Sequence, residues 1–317
     1  MRTLRYIAIV LAGIMAATVS VAQDADTLAA VSAAMDNPVG ELLILQNQLD
    51  VVSVNFPRLD EDELAYLYKV IPTFPVPIND DWNLISRVIL QYNSVPINEK
   101  LGDLVGFSLD QVSQNADLAQ TLEDIEEDPF DETTGFGDLI YLGLMAPKVP
   151  KKTDGGTLLW GVGPSLMLDT AEEEVLGTGA NSAGFGALLA YITEKTRLGI
   201  LPMQFWSYDE NEGRGDVNML NMQYFAFYSP DPTTSIGMMP NITVNWDADS
   251  GEKLTLPVGL GINKTMFLGK LPVRIGAEFH YNVVHPDDNA HGEWTSRFFF
   301  VPVMPAPGSD LAKSLKK

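Results

Sequence analysis

The 317-residue chain has no cysteine, which excludes disulfides, thiol nucleophiles and thiolate metal sites. It is also short of positive charge: 20 Lys and Arg stand against 42 Asp and Glu, a formal net charge of −22. An acidic surface repels phosphate, so nucleic acid is not an expected partner, and electrostatic docking onto anionic lipid is disfavoured. Long apolar runs are missing after the first segment. Nothing there approaches about 18 unbroken apolar residues, so no transmembrane helix is expected. Histidine is scarce: His280, His285 and His291 are the only three. A zinc site needs three or four converging ligands, and the plainer reading is loop residues facing solvent. No G-x-S-x-G occurs, and Gly163-Pro164-Ser165 lies within a strand pattern. Gly259 to Gly261 has no helix after it to hold a phosphate. Asp247 to Gly251 has the look of a calcium loop but lacks the closing bidentate Glu. Neither an enzyme nor a cofactor is expected.

What is present begins at the first residues. Arg2 and Arg5 precede an apolar run from Tyr6 to Ala17, and Ser20-Val21-Ala22 supplies small residues for cleavage. Residues 1–22 therefore read as a secretory signal peptide cut after Ala22. The rival, an uncleaved anchor, needs a run of roughly 20 residues. Residues 23–39 are small, polar and Ala-rich; a short helix after the signal and a loose chain are both open, and a flexible N-terminal segment is the plainer reading.

From Thr234 to Val303 apolar residues fall at every second position. Ile236, Met238, Pro240, Ile242, Val244 and Trp246 share one face; Ser235, Gly237, Asn241, Thr243 and Asn245 share the other, with Met239 the exception. Leu256, Val258, Leu260 and Ile262 repeat the pattern. Side chains alternate faces along a strand, so this is a two-sided sheet, greasy on one side and small or polar on the other. Similar patterns cover about 42–54, 64–74, 82–92, 136–147, 157–168, 181–193, 196–208, 216–229, 234–246, 253–265, 271–284 and 293–303. That makes about twelve strands, an even number as bacterial barrels have.

The connections alternate in kind. Short ones lie at 79–81, 194–195, 230–232 and 268–270, with 148–155 somewhat longer. Longer, mostly acidic ones lie at 95–134, 170–181, 209–216, 247–252 and 285–293. Strict alternation of this kind fits a membrane-spanning, up-and-down antiparallel β-barrel, an all-β fold with short turns on the periplasmic side. A Greek-key sandwich has no reason to produce it. The five tryptophans point the same way: Trp82 and Trp160 lie at strand ends near short turns, Trp206, Trp246 and Trp294 near long loops. Indole rings prefer the headgroup zone of a membrane. The barrel is assigned to residues 40–303, with 304–317 as a basic periplasmic tail.

Two regions hold the candidate functional residues. In 95–134, seven carboxylates crowd between Glu123 and Glu132, after some helical spacing at Leu109, Val112, Ala116, Ala119 and Leu122. Three readings stay open: a solvated acidic loop, a plug folded into a pore, and a divalent-cation patch with Glu126, Glu127, Asp128 and Asp131 as weak candidates. The strand at 271–284 carries Arg274, Glu278, His280 and Asn282 opposite Val273, Ile275, Phe279, Tyr281 and Val283. Burying that polar face in a dry core is costly unless each charge is paired, whereas a wet lumen removes the problem. Arg297 on the last strand falls roughly across from Glu278 or His280, so a lumenal ion pair is one reading and a solvated Arg297 the other.

Asn241 to Trp246 followed by Thr255 to Lys264 resembles the late strands of the outer-membrane family known as the MetA-pathway of phenol degradation. Asn37-Pro38, Asp81 to Arg87, Gly135 to Asp138 and Trp160 to Pro164 are similar to it as well. The resemblance runs from about Asn37 to Pro302. It implies a single outer-membrane barrel, distantly like hydrophobic-compound and fatty-acid channels, with no catalytic residues to carry over. Two features depart from the pattern: the 95–134 insertion is longer and more acidic, and the chain runs past its last aromatic strand.

The expected function is a passive outer-membrane channel for small, hydrophobic or aromatic solutes. Its lumen would be lined by Arg87, Asp138, Arg274, Glu278, His280 and Arg297, because fixed charges in a narrow pore set preference. The alternative is a non-conducting structural or surface-binding barrel with acidic, cation-binding loops. Expected partners are outer-membrane lipid and lipopolysaccharide, a small-molecule solute and the barrel assembly machinery. A lipid-active barrel enzyme would need its base facing the bilayer, and parity puts His280 on the other face.

Overall fold

The structure, a computed structural model, describes residues 25–37, 42–57, 59–104, 109–210 and 215–305. The signal peptide expected at 1–22 and residues 306–317 of the expected tail lie outside the described residues. The strand segments are β1 (Leu42–Phe56), β2 (Glu61–Pro77), β3 (Trp82–Val95), β4 (Thr133–Phe136), β5 (Leu139–Pro147), β6 (Lys151–Thr153), β7 (Gly156–Leu168) and β8 (Ala180–Ile192). They continue as β9 (Thr196–Glu210), β10 (Asn218–Asp231), β11 (Thr234–Met238), β12 (Asn241–Asn245), β13 (Leu254–Leu268), β14 (Leu271–Val284) and β15 (His291–Pro305). All pairings are antiparallel, and β1 closes the sheet by pairing with β15 from Leu42↔Pro305 to Asn55↔His291. Segments β4 and β5 share one stave, β11 and β12 another, and β6 extends a hairpin on β7, so the result is a closed barrel of 12 strands.

The period-2 pattern sets which face points where. Leu260 and Ile262 on β13, Phe279 and Tyr281 on β14, and Phe185 and Leu189 on β8 all point out and are exposed. A contiguous apolar belt of this kind marks a lipid-facing wall. The opposite parity is buried: Gln46, Gln48 and Asp50 on β1, Arg197, Met203 and Phe205 on β9, Glu278 and His280 on β14, and Arg297 on β15. The interior divides in two. One half, beneath β5, β7, β8 and β9, is an apolar cluster built around Leu142, Leu159 and Phe205. The other half is polar.

Three expectations are corrected. First, the N-terminal segment takes the helical alternative over its described part. Ala25–Met35 forms a helix inside the lumen, at the short-turn end, with Val31, Ser32 and Met35 buried. Barrel diameter grows with strand number, so twelve strands enclose more space than the eight that wall side chains alone can fill, and the helix occupies part of it. Second, the described residues of the 95–134 stretch are not irregular throughout: they include a 3₁₀ turn, Glu99–Leu104, and two helices, Leu109–Gln114 and Ala116–Glu127. Asn115 caps the second by accepting from the amides of Asp117 and Leu118. Third, the loop alternation is not strict: strands β1 and β2 run longer than their apolar pattern, and only residues 57–60 join them. Backbone pairing continued into Asn55 and Asp62, whose side chains hydrogen-bond at 2.7 Å.

Candidate functional site: a plugged, two-sided lumen

Two polar groupings fill the lumen. The first holds the N-terminal helix. Asp36, just past the helix end, pairs with Arg197 from β9 and with Arg274 from β14, the latter at 2.8 Å. Arg197 also donates to Ser229 and Ser235, and Arg274 donates to the carbonyl of Ser32 and to Thr265. Ser32 Oγ lies 3.1 Å from Thr265 Oγ1. One carboxylate between two guanidiniums thus ties the helix to both sides of the barrel, and every link is shielded from solvent, where charge-assisted bonds are strongest.

The second grouping crosses from β1 to β14. Asp50 accepts from Arg297 Nε at 2.8 Å and Nη2 at 3.2 Å, and Lys69 approaches it at 3.4 Å. Gln48 donates to Asp50, and Gln46 donates to Gln48. Arg297 Nη1 donates to the carbonyl of Met239, whose amide donates to Glu278 Oε2 at 3.0 Å. His280 Nε2 sits 2.8 Å from that same carboxylate oxygen. Met239 can serve both partners because the stave breaks there: Pro240 has no N–H to offer a ladder, so the strand stops and the backbone turns inward. Gly259 and Gly261 make room for this chain, since a Cβ on either would press on His280 or Glu278.

The six sequence candidates therefore separate. Arg274, Glu278, His280 and Arg297 do face the lumen, but each is engaged. Neither reading of Arg297 holds: it is buried and does not pair with Glu278 or His280. Arg297 lies in register between Asp50 and Glu278, one on each neighbouring strand, and turns to Asp50. Glu278 takes His280 instead. Asp138 is not a wall residue. It sits in the gap between β4 and β5, where its carboxylate accepts from the amide and hydroxyl of Thr178 at 2.7 and 2.8 Å and anchors the 170–178 loop. Arg87 alone faces a cavity with no hydrogen bond or ion pair to the described residues, and its Nε is buried.

Sequence reading missed Asp36, Gln46, Gln48, Asp50, Lys69 and Arg197. A signal for three of them was present: polar Gln46, Gln48 and Asp50 recur at period 2 against Leu45, Leu49 and Val51. Asp36 had none, because its role depends on a helix docking far from it in sequence. Among the described residues no group of three or more His, Asp or Glu is gathered for a metal. Glu126, Glu127, Asp128 and Asp131 are each exposed. His280 hydrogen-bonds no serine or threonine hydroxyl among the described residues.

Outside the wall, the long loops are stapled to each other. Glu252 accepts from the amides of Asp287 and Asp288 and from Asn289. The Asp288 amide foremost, with the Asp287 and Asn289 donors, holds the Glu252 carboxyl below the usual range against the opposing effect of desolvation.

A closed antiparallel barrel with an apolar outer belt and a lumen that holds buried charges and a helix is the architecture of outer-membrane β-barrel proteins. Among solved structures, the chain is similar to an outer membrane channel from Pseudomonas putida F1, over 84% of this chain and 96% of that one, with 14% identity and a TM-score of 0.57. The NanC porin is a weaker likeness, covering 82% of this chain and 99% of that one at 11% identity and a TM-score of 0.44. The CymD monoaromatic hydrocarbon channel covers 87% and 91% at 8% identity and a TM-score of 0.40. At these identities the likeness is one of fold. No protein-family model matches the sequence, and no curated protein matches it.

Proposed function

We propose that the protein resides in the bacterial outer membrane and passes small, largely apolar solutes by passive diffusion, in keeping with its resemblance to the phenol-degradation family. Lipid and lipopolysaccharide would contact its apolar belt, and the barrel assembly machinery would insert it. The observation that carries this reading is a lumenal cavity of about 190 Å³ between the helix and the apolar half of the wall. Ile85, Leu142, Leu144, Leu188 and Phe225 line it, so the interior offers an apolar solute a place that an ion-selective water pore does not. The helix Ala25–Met35 stands beside that cavity and is the element whose movement would widen the path.

The same helix, with its paired Asp36, favours a second reading: a non-conducting barrel whose exposed loops bind partners or cations. Planar bilayers separate the two. Mature protein and a variant lacking residues 25–37 are reconstituted and their currents compared. Discrete conductance steps that grow on removal of the helix are expected for a channel. No steps from either chain, with the 95–134 segment present or deleted, would sink the channel reading.

A further inference from the structure

The lumenal cavity has a charge its surroundings do not explain. Three guanidiniums, from Arg87, Arg197 and Arg274, border it, and Asp36 is the one carboxylate among its lining residues. Asp36 is shared by Arg197 and Arg274. Arg87 is left over. It projects from β3 beside Ile85, across from Thr73 on β2, and makes no hydrogen bond or ion pair with any described residue. In a chain whose formal charge is −22, an interior pocket of net positive charge is a local inversion. Arg87 is half-buried and its Nε is closed off from solvent; a partly desolvated cation without a partner is costly, and protein interiors tolerate one where a ligand or water completes it. Asn263 adds a second open group: its Oδ1 is buried without a partner, and it borders the same cavity.

The rest of the lining is apolar, with Phe225, Phe227 and Phe299 among it. An apolar cavity of about 150 Å³ is large enough to hold a benzene ring. The present one, about 190 Å³, leaves room for one ring and a carboxylate. Arginine's fork of N–H donors matches a carboxylate better than any other side chain does.

We propose that this cavity is a binding subsite for a monoaromatic carboxylate, its ring against Leu142, Leu188 and Phe225 and its carboxylate on Arg87. This deepens the channel reading, on which it rests for the solute's route, by naming the solute class. Arg87 selects the anion; the apolar wall selects the ring. A neutral hydrocarbon would leave Arg87 as uncompensated as it is without a solute, and an aryl ammonium would add a like charge.

The test is calorimetric titration of the full mature chain in non-ionic detergent, with heats into empty micelles subtracted. The probes are benzoate, benzyl alcohol, benzylammonium and acetate. Saturable benzoate binding at least about tenfold tighter than that of the other three is expected, about 1.4 kcal/mol or more by the usual conversion. Arg87→Gln should collapse the preference of benzoate over benzyl alcohol, and Arg87→Lys should restore part of it. If Arg87→Gln does not fold, judged by its heat-modified gel mobility, Leu142→Trp takes its place: filling the cavity should abolish benzoate binding. Equal binding of benzoate and benzyl alcohol, no benzoate binding at all, or retained preference in Arg87→Gln would overturn the assignment. Conductance of the same preparations keeps the two readings apart. A conducting barrel without benzoate preference loses this subsite alone. A benzoate-binding barrel that does not conduct loses the channel and keeps the subsite.

Discussion

Replacing Asp36 by Asn is the sharpest perturbation of this lumen. The substitution keeps the shape of the side chain and removes its charge. Asp36 is the sole carboxylate seen on Arg197 and Arg274 among the described residues, and its side chain is only 10% exposed. Removing one partner of a buried ion pair costs about 3–5 kcal/mol, because the remaining charge is stranded. Here two charges are stranded near each other, which raises the cost. The hydroxyls of Ser229 and Ser235 on Arg197, and of Thr265 on Arg274, remain and offset part of it. An effect at the low end, about 3 kcal/mol, is therefore expected, and it falls on the equilibrium between docked and undocked helix instead of on the barrel. At about 1.4 kcal/mol per decade, the undocked population should rise roughly a hundredfold. Hydrogen exchange reads this directly: amides of residues 28–35 should exchange about a hundredfold faster, while those of β13 and β14 keep their protection. Helix exchange within about threefold of the parent would refute the latch, since local opening free energies of that kind are resolved by the method.

Three further outcomes follow from the same geometry. Arg297→Met leaves Asp50 buried with only Lys69 and two glutamines nearby, and should destabilise the barrel by about 3 kcal/mol in urea unfolding from micelles; combining Asp50→Asn with Arg297→Met should recover more than half of that, and failure to recover would mean that the pair is not the cause. Leu260→Arg, at the middle of β13 and 63% exposed, should cost about 2–4 kcal/mol on folding into vesicles, and no loss would argue against a lipid-facing belt. The Glu252 carboxyl is depressed in the folded loops, so its staple is fully present above the ordinary carboxylate value of 4.5 and is lost as pH falls through the lower folded value; proton exchange at Asp287 and Asp288, corrected for intrinsic rates, should speed up only in that acid window, and Glu252→Gln should abolish the dependence.

The wall of the barrel was legible in the chain because a strand's side chains alternate whatever it pairs with. Leu260, Ile262, Phe279 and Tyr281 point out at the parity their spacing dictates, and Arg274, Glu278, His280 and Arg297 point in. Met239, the one apolar residue on the polar face of its stretch, turned out to mark the break at Pro240 and to carry the backbone groups that join Arg297 to Glu278. Strand lengths were less legible, since backbone pairing extends through polar residues such as Asn55 and Asp62 as readily as through apolar ones.

What the sequence by itself determined is a property of neighbours two apart: period, parity, the number of staves and the sign of the loops. Tertiary structure decided the partners. Arg297 has a carboxylate directly across on each side, and only the packing of the lumen makes it choose Asp50. Asp36 is chosen by Arg197 and Arg274 because a helix that looked dispensable fills the space between their strands. Arg87 is left without an acid for the same reason: ion pairing is set by distance in three dimensions and by the absence of water, and neither is written in the order of residues.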